Sequence, residues 1–174
     1  MKITKVEVMA TNVPFRDSEG NTGEIALGKW ELCRFVIVKV HTDEGIVGYG
    51  ESAPFARLSP LGQKPIIDVL IDYVAPSVIG LDPFNTEEIW KAMDRATPDN
   101  AQAKGAVDMA LYDIMGKKTG QPACNFLGGA VWHEIPLQAI VTIDSLENMK
   151  RASIHQVEKG FRTIRIKLGL GDLR

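Results

Sequence analysis

The sequence predicts an α+β domain followed by the first elements of a parallel α/β fold, and three observations support this prediction. Within residues 3–51, apolar and β-branched residues form three runs that alternate or stay apolar, as strands do. From residue 65 to residue 118 the apolar residues recur at helical spacing. Beyond residue 130, one strand, one helix and one strand follow with short connections, which is typical of the units that build parallel sheets and barrels.

The N-terminal sheet is predicted to be antiparallel, with strands over residues 3–10, 33–42 and 47–51. The turn Asp43-Glu44-Gly45 suits a hairpin between the second and third strands, because glycine tolerates the positive φ that such turns require. Glu51 ends the third strand, and it is either a residue that contacts a ligand or a solvated charge at the strand end.

Two irregular stretches, residues 14–29 and 52–63, separate or follow these strands. Loops of this length in a compact domain are usually functional or disordered. Four candidate ligand-contacting residues lie in or beside them: Arg16, Trp30, Phe55 and Arg57. Each arginine could meet an anionic substrate or be a solvated loop charge, and each aromatic ring could contact a ligand or pack between loop and body.

Three helices are predicted after the sheet. The first begins at Pro65 and ends by Pro76 and Gly80, and the second follows Asn85, where Asn85 or Thr86 can cap it. The third and strongest covers residues 101–118 and is stopped by Gly120. The first helix has the apolar stripe Ile66, Val69, Leu70 and Tyr73, and the core-facing residues of the third are Ala103, Val107, Ala110, Leu111 and Ile114.

The last part of the chain predicts a strand over residues 135–143, a helix, and a strand over residues 163–168. The first strand is rich in apolar and β-branched residues, as expected for a strand buried on both faces. Asp144 or Ser145 can cap the helix and Gly160 can end it. One such unit cannot close a barrel.

Composition excludes several classes of function. The chain has 174 residues, 45% of them apolar and 24% charged, with a formal net charge of −2, which gives no electrostatic reason to expect nucleic acid. Cys33 and Cys124 show no metal-ligand or disulfide spacing, which favours reduced core thiols. The start has no apolar signal core and no apolar run reaches membrane-spanning length, so we expect a cytoplasmic protein.

Arg165 and Lys167 are the candidate catalytic pair. Side chains alternate along a strand, so both cations lie on one face of the last predicted strand. A second cation favours the neutral form of Lys167 if the lysine is also desolvated, and a neutral lysine can act as a general base. The alternative is an ordinary solvated strand face. His41, His133 and His155 show no metal-ligand spacing, so no metal ligands are predicted in this chain.

Three segments, in order, resemble the enolase superfamily, and specifically its mandelate racemase and muconate lactonizing enzyme branch. The most specific is the helix from Ala103 to Pro122, closing with Leu127-Gly128-Gly129, which is similar to the family helix that joins cap to barrel. The others are Gly45-Ile46-Val47-Gly48-Tyr49-Gly50-Glu51 and Ile164-Arg165-Ile166-Lys167-Leu168-Gly169. The resemblance covers essentially the whole chain and favours the catalytic interpretation of Lys167.

The resemblance implies a capping domain over residues 1–130, with residues 131–174 beginning a TIM-like (β/α) barrel that is incomplete. It implies Mg²⁺-assisted removal of the proton α to a carboxylate, with Lys167 as the base and the two irregular stretches shaping specificity. The usual Lys-x-Lys of the family is Arg165-x-Lys167 here, so a role that needs two titrating lysines is in doubt. The metal ligands of the family lie on later barrel strands and have no counterpart before Arg174.

Two hypotheses of different classes follow. The first is the N-terminal part of a Mg²⁺-dependent enzyme that acts on a small carboxylate and is a homo-oligomer, with this chain inactive by itself. A muconate cycloisomerase or dipeptide epimerase is favoured, since Thr142 at the end of the first barrel strand is compatible with that group, and an acid-sugar dehydratase is the other enzyme considered. The second hypothesis is a non-catalytic capping module that acts in oligomerisation or protein interaction, because unpaired strand edges recruit partners.

Overall fold

The computed structural model describes residues 1–15, 23–25, 28–55 and 62–169. The predicted strands and helices occur in the predicted order, and two short strands are added between the first two predicted strands. The strands are β1 (Ile3–Pro14), β2 (Gly23–Ile25), β3 (Gly28–Trp30), β4 (Leu32–Thr42), β5 (Val47–Ser52), β6 (Gln138–Val141) and β7 (Thr163–Ile166). The helices are α1 (Gln63–Val69), α2 (Ala75–Val78), α3 (Thr86–Ala96), α4 (Ala101–Thr119) and α5 (Leu146–Glu158). A π-helical turn, Leu70–Val74, joins α1 to α2, and a 3₁₀ turn covers Ala123–Leu127.

The chain divides into two compact units. The first consists of residues 1–13 and 34–130, and the second of residues 14–33 and 131–174. The antiparallel sheet followed by helices, and then the start of a parallel unit without a closed barrel, confirms the predicted fold class. The predicted domain boundary at residue 130 stays a prediction.

The sheet of the first unit has the strand order β1-β4-β5 and is antiparallel, as predicted. In the β4–β5 hairpin, Val38 pairs with Gly50 and Lys39 with Tyr49, and Gly45 in the turn has a φ of +78°. One face of β4 supplies Val36, Val38 and Val40 to the core, all fully buried. Phe35 and Ile37, on the other face, are half-buried, so burial alternates along the strand.

The predicted apolar stripe of the first helix is wrong at Tyr73, which is 53% exposed. Within the π-helical turn, the backbone N–H of Ala75 donates to the carbonyl of Leu70, five residues earlier. This bond inserts an extra residue into the turn, so that Val74 falls on the buried face in place of Tyr73. The helix continues past Pro76 and ends at Val78, two residues before Gly80.

Helix α4 confirms its prediction: all five residues expected to face the core are buried. Gly120 follows the helix with a φ of +67° and ends it, as predicted. The helix packs along β5, and α1, α3 and the π-helical turn also contact it. It is the central helix of the first unit.

The second unit contains two short sheets. The stretch predicted to be irregular over residues 14–29 includes the antiparallel hairpin β2–β3, in which Gly23 pairs with Trp30. Strands β6 and β7 pair in parallel, and α5 connects them, which confirms the predicted βαβ unit. Ser145 caps α5, because its hydroxyl accepts from the backbone N–H of Asn148 at 3.3 Å. Gly160, with a φ of +94°, follows the helix end.

Strand β6 is shorter than predicted, since it begins at Gln138 instead of residue 135. Pro136 has no backbone N–H to donate and restricts the residue before it, so the strand begins after it. No helix of the described part of the chain has the length and apolar character needed to span a bilayer.

Candidate functional site

The carboxyl ends of β6 and β7 lie side by side. The register pairs Val141 with Ile166, and the backbone N–H of Lys167 donates to the carbonyl of Val141 at 3.0 Å. Thr142 and Lys167, the next residue of each strand, are therefore neighbours across the pair, and both are half-buried. Because parallel strands end at the same edge of a sheet, the side chains of these two residues lie at one edge of the strand pair.

Arg165 lies on the same face as Lys167, two residues earlier in β7, and pairs with Ile140 of β6. The opposite face of β6 presents Ala139 and Val141, which are 6% and 3% exposed. On β6 the face that carries the cations is more open, since Ile140 is 49% exposed, and Arg165 beside it is exposed as well. This face therefore offers two cations, Arg165 and Lys167, and the hydroxyl of Thr142 to an anionic ligand.

The sequence predicts five further site residues: Arg16, Trp30, Glu51, Phe55 and Arg57. Trp30 ends β3 in the same unit as β6 and β7. Glu51 is exposed at the end of β5, where it pairs with Ile37, and Phe55 is half-buried; both belong to the other unit. Arg16 and Arg57 lie outside the described residues. The structure therefore brings together Thr142, Arg165 and Lys167, and the substrate-binding roles of the others stay predictions.

The two glycines of the motif from Gly48 to Glu51 have a packing role. A Cβ on Gly48 would lie 2.1 Å from the carbonyl oxygen of Ala110, and one on Gly50 would lie 1.8 Å from that of Ala106. Side chains at these two positions would overlap the backbone of α4, so only glycine lets β5 approach the helix this closely.

Sequence reasoning missed two polar contacts in the first unit. Lys104 is 2% exposed, and its Nζ lies 2.6 Å from Oδ1 of Asp94. It occupies the buried face of α4, three residues before Val107, and this spacing is a signal that could have identified it. In the second contact, the indole N–H of Trp90 donates a hydrogen bond to Oδ1 of Asp108 at 2.8 Å. Neither contact lies at the β6–β7 site.

A magnesium ion needs several oxygen ligands in near-octahedral geometry. Among the residues that the structure describes, no group of three or more His, Cys, Asp or Glu side chains is placed to hold a metal ion. The described residues therefore do not fit the Mg²⁺ that the resemblance implies.

Comparisons with known proteins agree on one family. A family model, described as the N-terminal domain of mandelate racemase / muconate lactonizing enzyme, matches residues 5–128. An N-succinyl-L-Arg/Lys racemase from Bacillus cereus is 34% identical over 169 residues, which make up 97% of this chain and 45% of the racemase. A hydrophobic dipeptide epimerase from Enterococcus faecalis is 34% identical over 171 residues, which make up 98% of this chain and 47% of the epimerase.

A solved structure gives the same result in three dimensions. The crystal structure of the dipeptide epimerase from Enterococcus faecalis, complexed with Mg and the dipeptide L-Leu-L-Tyr, matches with a TM-score of 0.88 at 33% identity. The match covers 98% of this chain and 47% of that one. The chain thus spans about half the length of the curated relatives that it matches.

Proposed function

Because the chain belongs to the mandelate racemase / muconate lactonizing enzyme family, we propose that it forms the N-terminal part of an enzyme that removes the proton α to a carboxylate. The observation that carries this proposal is the position of Lys167 beside Thr142 at the carboxyl ends of two parallel strands. Active sites of (β/α) barrels lie at this end of the strands.

The roles follow from the chemistry of the three side chains. Lys167 acts as the base when its amine is unprotonated: the α C–H bond breaks, an N–H bond forms, and the electron pair moves into the carboxylate, which becomes an enediolate. The hydroxyl of Thr142 can donate a hydrogen bond to a substrate oxygen. Arg165 supplies a fixed positive charge on the same strand face, and it does not exchange protons at neutral pH.

The structure of the dipeptide epimerase complex contains Mg, and a bound Mg²⁺ would stabilise the negative charge that develops on the substrate carboxylate. The described residues do not fit such a site. We propose that any ligands of the metal come from barrel strands other than β6 and β7.

The names of the relatives suggest a substrate class. An N-succinyl amino acid and a dipeptide both contain an α-carbon that carries an acylated nitrogen and a free carboxylate. We propose substrates of this class, N-acylated α-amino acids or dipeptides, with inversion at the α-carbon as the outcome. Substrate anions would be attracted to Arg165 on the strand face.

The test is α-proton exchange. The chain is mixed with the part of the Bacillus cereus racemase that it does not match, Mg²⁺ and an N-succinyl amino acid or dipeptide in D₂O, and loss of the α-proton signal is followed by NMR. We expect exchange that Lys167→Met lowers by at least about 10³-fold, in line with loss of a general base. Lys150→Met is the matched control, because Lys150 is an exposed lysine of α5 in the same unit.

Absence of exchange in a complex that demonstrably forms would overturn the proposal and favour the non-catalytic capping module. Release of water from an acid-sugar substrate, without exchange of N-acyl amino acids, would instead identify a dehydratase. Equal rates for the Lys167→Met and Lys150→Met variants would show that another group is the base.

A further inference from the structure

Residues 142–145 connect β6 to α5, and Thr142 is the first of them. The strand side of this connection is fixed, because the carbonyl of Val141 accepts a hydrogen bond from the backbone N–H of Lys167 at 3.0 Å. In the proposed function Thr142 donates to a substrate oxygen, and displacement of such a group by about 1 Å can lower a rate about 10²-fold. The backbone of Thr142 therefore needs a second fixed point on the helix side.

Asp144 supplies a contact of this kind. Its Oδ1 accepts hydrogen bonds from the backbone N–H of Ser145 at 2.6 Å and from the side-chain amide of Asn148 at 3.1 Å. Asn148 lies in the first turn of α5, and its backbone N–H donates to the hydroxyl of Ser145 at 3.3 Å. Hydrogen bonds to a charged acceptor are stronger than those between neutral groups. The carboxylate of Asp144 thus ties the connection to α5, two residues after Thr142.

A general effect of negative charge at the helix start is a different explanation for an aspartate at this position. Glu147 is a second exposed acid, in the first turn of α5, and both carboxylates interact favourably with the positive end of the helix dipole. Asp144 differs in that it lies just before the helix and bonds to Asn148. Comparison of Asp144 with Glu147 therefore separates a tether from an effect of charge.

We propose that Asp144 is a positioning residue, which holds the hydroxyl of Thr142 in place for the substrate through its hydrogen bond to Asn148. The inference rests on the proposed function, because it takes Thr142 to bind a substrate oxygen. Asp144 acts through Thr142, so its effect on the rate should vanish once the hydroxyl of Thr142 is absent. A residue that only stabilises the fold would affect the rate whether or not the hydroxyl is present.

A double-mutant cycle tests this dependence in the α-proton exchange assay, with the full chain and the part of the Bacillus cereus racemase that it does not match. Thr142→Val should lower the exchange rate at least about tenfold, as loss of a hydrogen bond to a charged group does. Asp144→Ala should lower the rate about threefold to tenfold, and it should have no effect in the Thr142→Val background. Asn148→Ala removes the same bond from the other side and should behave like Asp144→Ala. Glu147→Ala is the matched control and should exchange at the wild-type rate.

A second readout needs neither partner nor substrate. Backbone order parameters of Thr142 and Ile143, from ¹⁵N relaxation of the full chain, should fall from about 0.85 towards 0.6 in Asp144→Ala and Asn148→Ala. Glu147→Ala should leave them unchanged, and circular dichroism verifies that every variant retains its helices. Asp144→Asn keeps an acceptor oxygen, so it should restore most of the order and most of the exchange rate.

A loss of rate for Asp144→Ala that is equal in the wild-type and Thr142→Val backgrounds would overturn the inference, because the aspartate would then act independently of Thr142. Unchanged order parameters in Asp144→Ala would overturn it as well, and so would an equal effect of Glu147→Ala. Absence of exchange even with the wild-type chain would remove the proposed function. The relaxation measurement would then still decide whether Asp144 fixes the backbone of Thr142.

Discussion

The carboxylate of Asp113 in α4 accepts a hydrogen bond from the backbone N–H of Tyr49 in β5, at 2.8 Å. One helical turn further on, Nζ of Lys117 donates to the carbonyl of Val47 at 2.7 Å and to Asp113 at 2.7 Å. β5 is an edge strand, and an open edge exposes N–H and C=O groups to other chains. The two side chains supply the donor and the acceptor that a neighbouring strand would offer, and thereby cover this part of the edge.

Removal of the Asp113 carboxylate should destabilise the first unit. Asp113→Ala leaves the N–H of Tyr49 without its acceptor and frees Lys117 from its ion pair, so we expect a loss of about 1–2 kcal/mol in the free energy of unfolding. Urea denaturation followed by circular dichroism measures it. Asp68→Ala is the control, because Asp68 forms an ion pair of the same spacing with Lys64 on α1, where the lysine is 83% exposed. The free energy of unfolding of Asp68→Ala should fall by less than about 0.5 kcal/mol. Equal losses for Asp68→Ala and Asp113→Ala would contradict the role of Asp113 in covering the edge of β5.

Alanine at Gly48 or Gly50 should be more damaging still. Each added Cβ would overlap a backbone carbonyl of α4, which cannot rotate away as a side chain can. We expect each substitution to cost about 2–4 kcal/mol, as in other overpacked cores, with the midpoint of thermal unfolding falling accordingly.

Gly105→Ala provides the control for the glycine substitutions. Gly105 lies inside α4, and a Cβ there would meet nothing within 4 Å. Alanine is the better helix former, so this variant should gain about 0.5–1 kcal/mol. A loss at Gly105 similar to that at Gly48 would mean that helix α4 tolerates no change, irrespective of its distance to β5.

Much of the fold could be predicted because local patterns and packing agree. The apolar run of β4 predicts the strand, and the helical spacing in α4 predicts the core residues Ala103, Val107, Ala110, Leu111 and Ile114, which are all buried. The site pair could also be predicted, since a βαβ unit places the ends of its strands side by side, as Thr142 and Lys167 are.

The misses have physical causes. Tyr73 is exposed because one bond from Ala75 to Leu70 shifts the helical register, and composition does not encode such a turn. Lys104 has the helical spacing of a buried residue, but the carboxylate that pairs with its charge comes from the neighbouring helix, and periodicity within one helix does not reveal such a tertiary contact. Hairpin β2–β3 consists of three-residue strands, which are too short for alternation to be seen.

Removal of the charge of the buried Lys104 should destabilise the first unit less than removal of its partner, Asp94. Asp94→Ala leaves an ammonium group, on a side chain 2% exposed, without its acceptor, and we expect a loss of about 1–2 kcal/mol, moderated because Asp94 itself is 61% exposed. Lys104→Met keeps the apolar stem and removes the charge, so its effect should lie within about 1 kcal/mol of the wild type. Urea denaturation of both variants and of the double variant gives the coupling energy. A larger loss for Lys104→Met than for Asp94→Ala would contradict this order.

Asp144, at the start of α5 and two residues after Thr142, should make the stability of the second unit depend on pH. The backbone N–H of Ser145 at 2.6 Å, and then the amide of Asn148 at 3.1 Å, hold the pKa of its carboxyl below the ordinary value. The folded state therefore binds the proton less tightly than the unfolded state, and Asp144 contributes stability above the unfolded-state pKa of about 3.9. That contribution is lost as the pH falls through the folded-state pKa.

The variant Asp144→Asn isolates this contribution, because an amide does not titrate. We expect the wild type to exceed the variant in free energy of unfolding at pH 7, and the difference to shrink as the pH falls below about 4. Amide hydrogen exchange in α5 assigns the effect to the second unit. Ser145→Ala serves as the control, since it removes the helix cap at a cost of about 1 kcal/mol that should not change with pH. A difference between the wild type and Asp144→Asn that is the same at pH 3 and pH 7 would show that the carboxylate charge does not stabilise α5.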